Sequence, residues 1–256
     1  MPNSQTHLAA VWSLLARPPL QAAFPWLGEE HVQSALLLGA VAPDVRVVSG
    51  QLREETHFFD IPTGEQPGHD ALFAAWPVLA DSAALGVEQA AFVGGYLTHL
   101  IMDETWVEVV VMEGLFVEGL QWGPGHPNWR LYGLLMTYLE YQAAERLPAR
   151  AVDLLGEAEP HGWLPFAADE HLRGWRDYVV STIRQGGPRL LSRMFARSTG
   201  LSEADLESIV LSEERMAAEV FELIPREQLA AFEVQTAQQA EAAVSRYWAP
   251  LAAPDE

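Results

Sequence analysis

Apolar residues return every three or four positions along nearly all of this chain, and no convincing run alternates apolar and polar residues one by one. A helix turns once in about 3.6 residues, whereas strand side chains flip at every step. The pattern therefore predicts an all-α fold, a single-domain multi-helix bundle over residues 1–256. Prolines and glycines punctuate it. Ser4 or Thr6 is placed to cap a first helix with Leu8, Val11, Trp12 and Leu15 on one stripe, and Pro18-Pro19 closes it. A second apolar helix, about Glu30 to Ala40, is expected to end before Pro43, because the residue ahead of a proline is pushed out of the α region. A looser stretch, 44–68, follows. Helices are then expected at 70–84, 88–112, 128–146, 169–186, 188–197, 203–223 and 226–246, with a clear break at Gly123-Pro124-Gly125.

Charge narrows the partners. All 15 basic residues are Arg, set against 35 acidic ones, for a formal net charge of −20. Nucleic-acid binding relies on Lys and Arg to displace counterions, so no nucleic-acid partner is expected, and docking on anionic lipid is disfavoured. The longest apolar stretch, Ala90 to Met102, is interrupted by Thr98 and His99 and stopped by Asp103, so it is too short and too polar to span a bilayer. The chain begins Met1-Pro2-Asn3-Ser4-Gln5-Thr6-His7, without the basic start of a signal peptide. A soluble, cytoplasmic protein without membrane insertion is expected. Having no Cys, the chain has no disulfides, thiolate zinc sites or Cys nucleophiles. The acidic pattern of 201–222 reads as a solvated helix face. The helix at 226–246, with Ala and Gln on several faces, can pack on its own core or pair with a second copy in a homo-oligomer.

The segment 88–112 carries the most informative polar residues. At helical spacing one stripe reads Phe92, Tyr96, His99, Asp103, Trp106 and Val110, apolar except for His99 and Asp103. An unpaired buried carboxylate is expensive, so Asp103 needs a partner. Either the two residues bond each other or another core group, or both hold a metal, for which nitrogen and oxygen ligands suit zinc and similar cations. Three further residues stand in comparable settings. Asp44 follows Pro43 at the end of the second helix, where the stiff proline can preorganise a ligand. His57, thirteen residues on, sits in Thr56-His57-Phe58-Phe59. His7 lies in the first turn of the first helix, four residues from Val11. Each has a plainer explanation: His7 as a surface or capping residue, Asp44 as a helix stop, His57 as a bonded core histidine.

Taken together, Thr6-His7, Leu38-Gly39-Ala40-Val41-Ala42-Pro43-Asp44-Val45, Thr56-His57-Phe58-Phe59 and Gly95-Tyr96-Leu97-Thr98-His99-Leu100-Ile101-Met102-Asp103-Glu104 resemble the zinc-dependent phospholipase C family, whose wider superfamily includes the fungal zinc nucleases. The resemblance covers roughly residues 1–145; the helical part 146–256 is outside it. It implies an all-α fold and phosphate-ester hydrolysis. It also implies that Asp44, His57, His99 and Asp103 ligate a first zinc, that His7 helps bind another which Asp103 bridges, and that Asp44 lies beside the attacking water, where it can act as base. The family completes its second zinc site with a later His and a His-x-x-x-Glu. Here no His follows Asp103 until His126, and none of His126, His161 or His171 begins such a motif. One complete site is therefore implied. Glu104 and Glu108 fall off the His99/Asp103 face.

The leading expectation is a zinc-type phosphoester hydrolase with at least one divalent ion per chain and a small phosphoester substrate. A catalytically lost, metal-bearing scaffold or small-molecule binding protein is the alternative, since Asp44, His57, His99 and Asp103 can already close a tetrahedron. An HD-type phosphohydrolase, built on His69-Asp70 with His57 and Asp103, is a minor one; Asp70 also suits a helix N-terminus.

Overall fold

The computed structural model describes residues 1–115 and 125–252. The Gly123-Pro124 part of the expected central break lies outside them. The described residues are helical almost throughout and contain no strand, which bears out the all-α expectation. In chain order the helices are α1 (Ser4–Leu15), α2 (Pro18–Ala23), α3 (Glu30–Val41), α4 (Arg46–Ser49), α5 (Glu54–His57), α6 (Gly68–Ala75), α7 (Val87–Trp106), α8 (Trp129–Arg146), α9 (Ala149–Glu157), α10 (Asp169–Arg184), α11 (Gly187–Thr199), α12 (Glu203–Val210), α13 (Glu213–Met216) and α14 (Arg226–Trp248).

Several boundaries differ from expectation, each for a local reason. Asn3, not Ser4 or Thr6, occupies the N-cap of α1, and it makes no side-chain cap bond. α1 ends at Leu15, ahead of Pro18-Pro19 as expected, and Pro18 then opens α2, where a missing N–H is harmless. α3 likewise ends at Val41, ahead of Pro43 as expected, but the chain does not loosen there. The chain tightens into a 3-10 turn, Ala42–Val45, and continues into α4. The helix expected at 70–84 ends at Ala75, ahead of Pro77, and two 3-10 turns follow. The long helix expected at 88–112 is α-helical only to Trp106. Beyond it, where Val107 and Val109–Val111 crowd a regular turn, Val107–Leu115 is π-helical. The segment 203–223 breaks where Ser212 caps α13 through the Arg215 N–H. α2, α4, α5 and α9 were not expected.

Two glycines set the centre of the fold. α3 lies against α7 so closely that a Cβ on Gly39 would stand 1.9 Å from the Phe92 carbonyl oxygen, and one on Gly95 would stand 2.1 Å from that of Leu36. No other residue type tolerates that crossing. Around it one apolar cluster gathers Leu8, Leu37, Leu38, Phe92, Leu155 and Trp248 among others. A second, under Val107–Leu115, gathers Trp106, Leu134, Leu135, Ile209 and Phe232.

The later helices close on this centre. α9 packs against α3, and α10 against the Ala42–Val45 turn, where the Trp175 indole donates to the Val41 carbonyl at 2.6 Å. α14 lies along α7, and its Trp248 indole donates to the Ala90 carbonyl at 3.0 Å. The apolar face of α14 is thereby used within the chain. One continuous stretch, Glu30–Ser49, is long and apolar enough to cross a membrane, but 67% of it is buried inside the fold, as in a core helix.

Candidate metal centre

The α3–α7 crossing fixes the first pieces of the site. His99 and Asp103 project from one face of α7, a turn apart, and His99 follows Gly95 by one turn. Close approach at the glycines brings the Ala40 carbonyl to 2.8 Å from His99 Nδ1. Asp44 comes from the 3-10 turn that extends α3. His57 is the last residue of α5, where Phe58 enters the left-handed region (φ 59°) and turns the chain away. The Tyr96 hydroxyl, on the same stripe of α7, donates to the Thr56 carbonyl and pins α5 there. His7 enters from the first turn of α1. His7, His57, His99 and Asp103 are buried, whereas the Asp44 side chain is 24% exposed.

Five residues separated by up to 96 positions converge. Asp103 Oδ1 faces His7 Nε2 at 3.4 Å. Its Oδ2 faces His57 Nε2 and His99 Nε2, each at 3.5 Å. Asp44 Oδ1 stands 3.7 Å from His57 Nε2. Two groups result, His7–His99–Asp103 and Asp44–His57–His99, whose donor atoms lie within 4.8 Å of one another and which share His99. The carboxylate of Asp103 thus faces both groups.

Hydrogen bonding to the outer ring nitrogens fixes two of the histidine tautomers. A carbonyl can only accept, so His99 Nδ1 carries the hydrogen that bonds Ala40, and the neutral ring turns a bare Nε2 towards Asp103 Oδ2. The Thr56 hydroxyl donates to the Arg53 carbonyl at 3.2 Å and pairs with His57 Nδ1 at 3.0 Å. The same tautomer follows for His57. These Nε2 atoms, His7 Nδ1 and Nε2, and Asp103 Oδ1 are buried and make no hydrogen bond among the described residues. Where a bare His57 or His99 Nε2 faces a carboxylate oxygen at this range, a cation, either a proton or a metal ion, satisfies both. Ligand atoms about 2.0–2.1 Å from one cation at tetrahedral angles stand about 3.3–3.4 Å apart, close to the observed 3.4–3.7 Å. The donor set fits a metal ion.

A proton competes for the same space. Burial disfavours the His99 imidazolium, yet Asp103, Asp44 and the Ala40 carbonyl outweigh it and the ring's pKa rises. His7 is pushed down by burial and by His99, against which it stacks with ring centroids 3.8 Å apart. Burial also drives His57 well down. Asp103 is pushed up by burial but held far below its ordinary value by His99 and His7. The Asp103 carboxylate is thus held ionised against its burial, and of the three imidazoles His99 is the one whose surroundings favour a proton.

Several nearby groups were not legible in advance. Asp44 and Arg46 line a cavity of about 440 Å³ beside the centre, together with Gln5, Glu140, Trp175 and Tyr178. Arg46 has no ion-pair partner among the described residues, and its buried Nε makes no hydrogen bond there. Arg53 donates to the Phe59 carbonyl at 2.8 Å and lies over the Phe59 ring, within the field of Asp103 and Asp44. Glu140 is buried and accepts from Gln5 and Thr6, the residues before His7. The Met1 amino group donates to the Tyr132 hydroxyl, and burial lowers its pKa to about 6.

Other sequence candidates stand apart. Glu104 accepts from the Gly68 N–H at 2.8 Å, and Glu108 bonds Thr63, so neither joins the two groups. His69 and Asp70 are 3.7 Å apart with Asp70 exposed, and neither contributes to them. No known protein family, curated protein or solved structure matches this chain.

Proposed function

We propose that this protein is a metal-dependent phosphoester hydrolase in which Asp44, His57, His99 and Asp103, with His7 on the second side of Asp103, hold a zinc-type cation. The observation that carries the reading is the set of bare, buried Nε2 and carboxylate atoms beside Asp44, which lines a cavity together with Arg46, an arginine with no ion-pair partner among the described residues. When bound, a divalent cation supplies Lewis-acid polarisation of a phosphoryl oxygen and acidifies water at neutral pH.

The chain's own residues supply the rest. Asp44 alone of the five reaches the cavity wall, so its carboxylate accepts the proton of the attacking water. Arg46, on the same wall, holds the anionic phosphoryl group against the repulsion of a chain with net charge −20. Ala40 and Thr56 fix the tautomers of His99 and His57 and keep their Nε2 atoms turned inward. Burial of His7, His57, His99 and Asp103 keeps bulk water off the inner side. A small phosphomonoester or phosphodiester suits a cavity of about 440 Å³.

A second reading, a metal-bearing scaffold or small-molecule binding protein, is favoured by one specific fact: four side chains can already fill a tetrahedron, whereas a catalytic site keeps a position open. Turnover separates the two. Zinc-loaded protein should hydrolyse aryl phosphate esters, lose that activity to a chelator and regain it on readdition, and Asp44→Asn should lower kcat. A metal-loaded wild type inert towards choline-type, nucleotide and simple phosphate esters decides for the scaffold.

A further inference from the structure

We infer that a second cavity, between α1, α7, α8 and α14, is a binding site for a small, neutral, largely apolar molecule carrying one hydrogen-bonding group. It has a volume of about 200 Å³, opens at a rim of Arg17, Arg146 and Glu233, and shares no lining residue with the cavity at Asp44. Its walls are small or apolar side chains, among them Ala9, Ala237, Ala240, Met102, Leu139 and Phe232.

One wall atom stands out. Thr236 is only 4% exposed, and its hydroxyl makes no hydrogen bond among the described residues. Helical Ser and Thr commonly return their hydroxyl to the carbonyl four residues back. Two wall residues do so: Ser13 bonds the Ala9 carbonyl at 2.8 Å and Thr98 that of Gly94 at 3.0 Å. The Thr6 hydroxyl donates to Glu140 at 3.1 Å. Thr236 makes no such bond and lines the cavity. Apolar cavities of about 150 Å³ take up benzene, and the lining here is mainly apolar.

Size and charge define the ligand. A space of about 200 Å³ takes a single ring with one substituent. The rim bears Arg17 and Arg146, but each is already paired, with Glu241 at 2.6 Å and with Glu233 at 3.0 Å. A neutral molecule therefore fits better than an anion or a cation. Its oxygen or nitrogen meets the Thr236 hydroxyl, and its ring meets Met102, Leu139 and Phe232.

None of these residues supplies a donor atom to the metal centre, so the two sites are tested separately. The probe is phenol, with toluene as its counterpart lacking a polar group, followed by thermal melting and titration calorimetry on the full chain. Phenol should raise the Tm of wild type with rising concentration. Thr236→Val should weaken phenol binding about 2- to 10-fold while leaving toluene unchanged. Ala237→Leu, which fills the space, should abolish both responses with helical circular dichroism retained. The inference is overturned if neither compound shifts the wild-type melt, if Thr236→Val treats phenol and toluene alike, or if a folded Ala237→Leu binds phenol as wild type does. Metal content should be the same in all three proteins.

Discussion

His99 Nδ1 lies 2.8 Å from the carbonyl oxygen of Ala40, and this bond couples the candidate metal centre to the close α3–α7 crossing. Gly39 precedes Ala40 and Gly95 lies one turn before His99. The spacing that brings the two backbones together therefore also sets which His99 nitrogen faces Asp103.

Gly39→Ala and Gly95→Ala should each destabilise the fold strongly. The added methyl meets backbone oxygen at 1.9 or 2.1 Å, and backbone cannot step aside as a side chain can. Overpacking of this kind costs about 3 kcal/mol or more. Urea unfolding should report it, and zinc affinity should fall with it. A neutral effect of either change would mean that the helices are further apart than described.

Thr56→Val tests whether the histidine tautomers are set from outside the metal shell. Removing the hydroxyl 3.0 Å from His57 Nδ1 should weaken zinc binding by about 10- to 100-fold without unfolding the chain. Competition with a chromogenic chelator measures this. Unchanged affinity would remove Thr56 from the account.

Arg46→Ala should lower kcat/KM for aryl phosphate esters about 10-fold or more, as expected for loss of a charged hydrogen bond to substrate. Metal content should stay at the wild-type level, since Arg46 supplies no ligand atom. Equal activity of variant and wild type would exclude the arginine from substrate binding.

Glu140 gives a pH prediction whose sign follows from its surroundings. Burial raises its pKa above the ordinary 4.5, and the hydrogen bonds from Gln5 and Thr6 do not cancel that rise. The folded chain thus keeps this proton at pH values where the unfolded chain has lost it. Its contribution to stability is full below about pH 4.5 and declines as pH rises towards the folded-state value. Glu140→Gln should flatten the decline in urea midpoint over that range. An identical slope in variant and wild type would place the carboxyl in solvent.

The fold class, His99 and Asp103 were legible in the sequence for one reason: side-chain periodicity reports burial, and a charge on a buried stripe must have a partner. His99 and Asp103 were therefore visible from their own helix. Asp44 and His57 needed neighbouring motifs, since a Pro-Asp step or a lone His has plain structural roles. The ends of α1 and α3 were legible from Pro18 and Pro43; less legible was that each proline opens a further helical turn, and that α6 stops at Ala75, ahead of Pro77. Arg46, Thr56 and Glu140 could not be foreseen, because their roles depend on contacts between α1, α5, α8 and the Ala42–Val45 turn that no local pattern encodes. The Gly39–Gly95 contact was equally hidden, two ordinary glycines in two apolar helices.

Elemental analysis after equilibrium dialysis against zinc tests the central claim most directly. Wild-type protein should retain at least one divalent ion per chain, while His99→Ala and Asp103→Asn, still helical by circular dichroism, should retain none. A metal-free wild type, or variants that carry the wild-type complement, would contradict a cation held between α1, α5, α7 and the turn at Asp44.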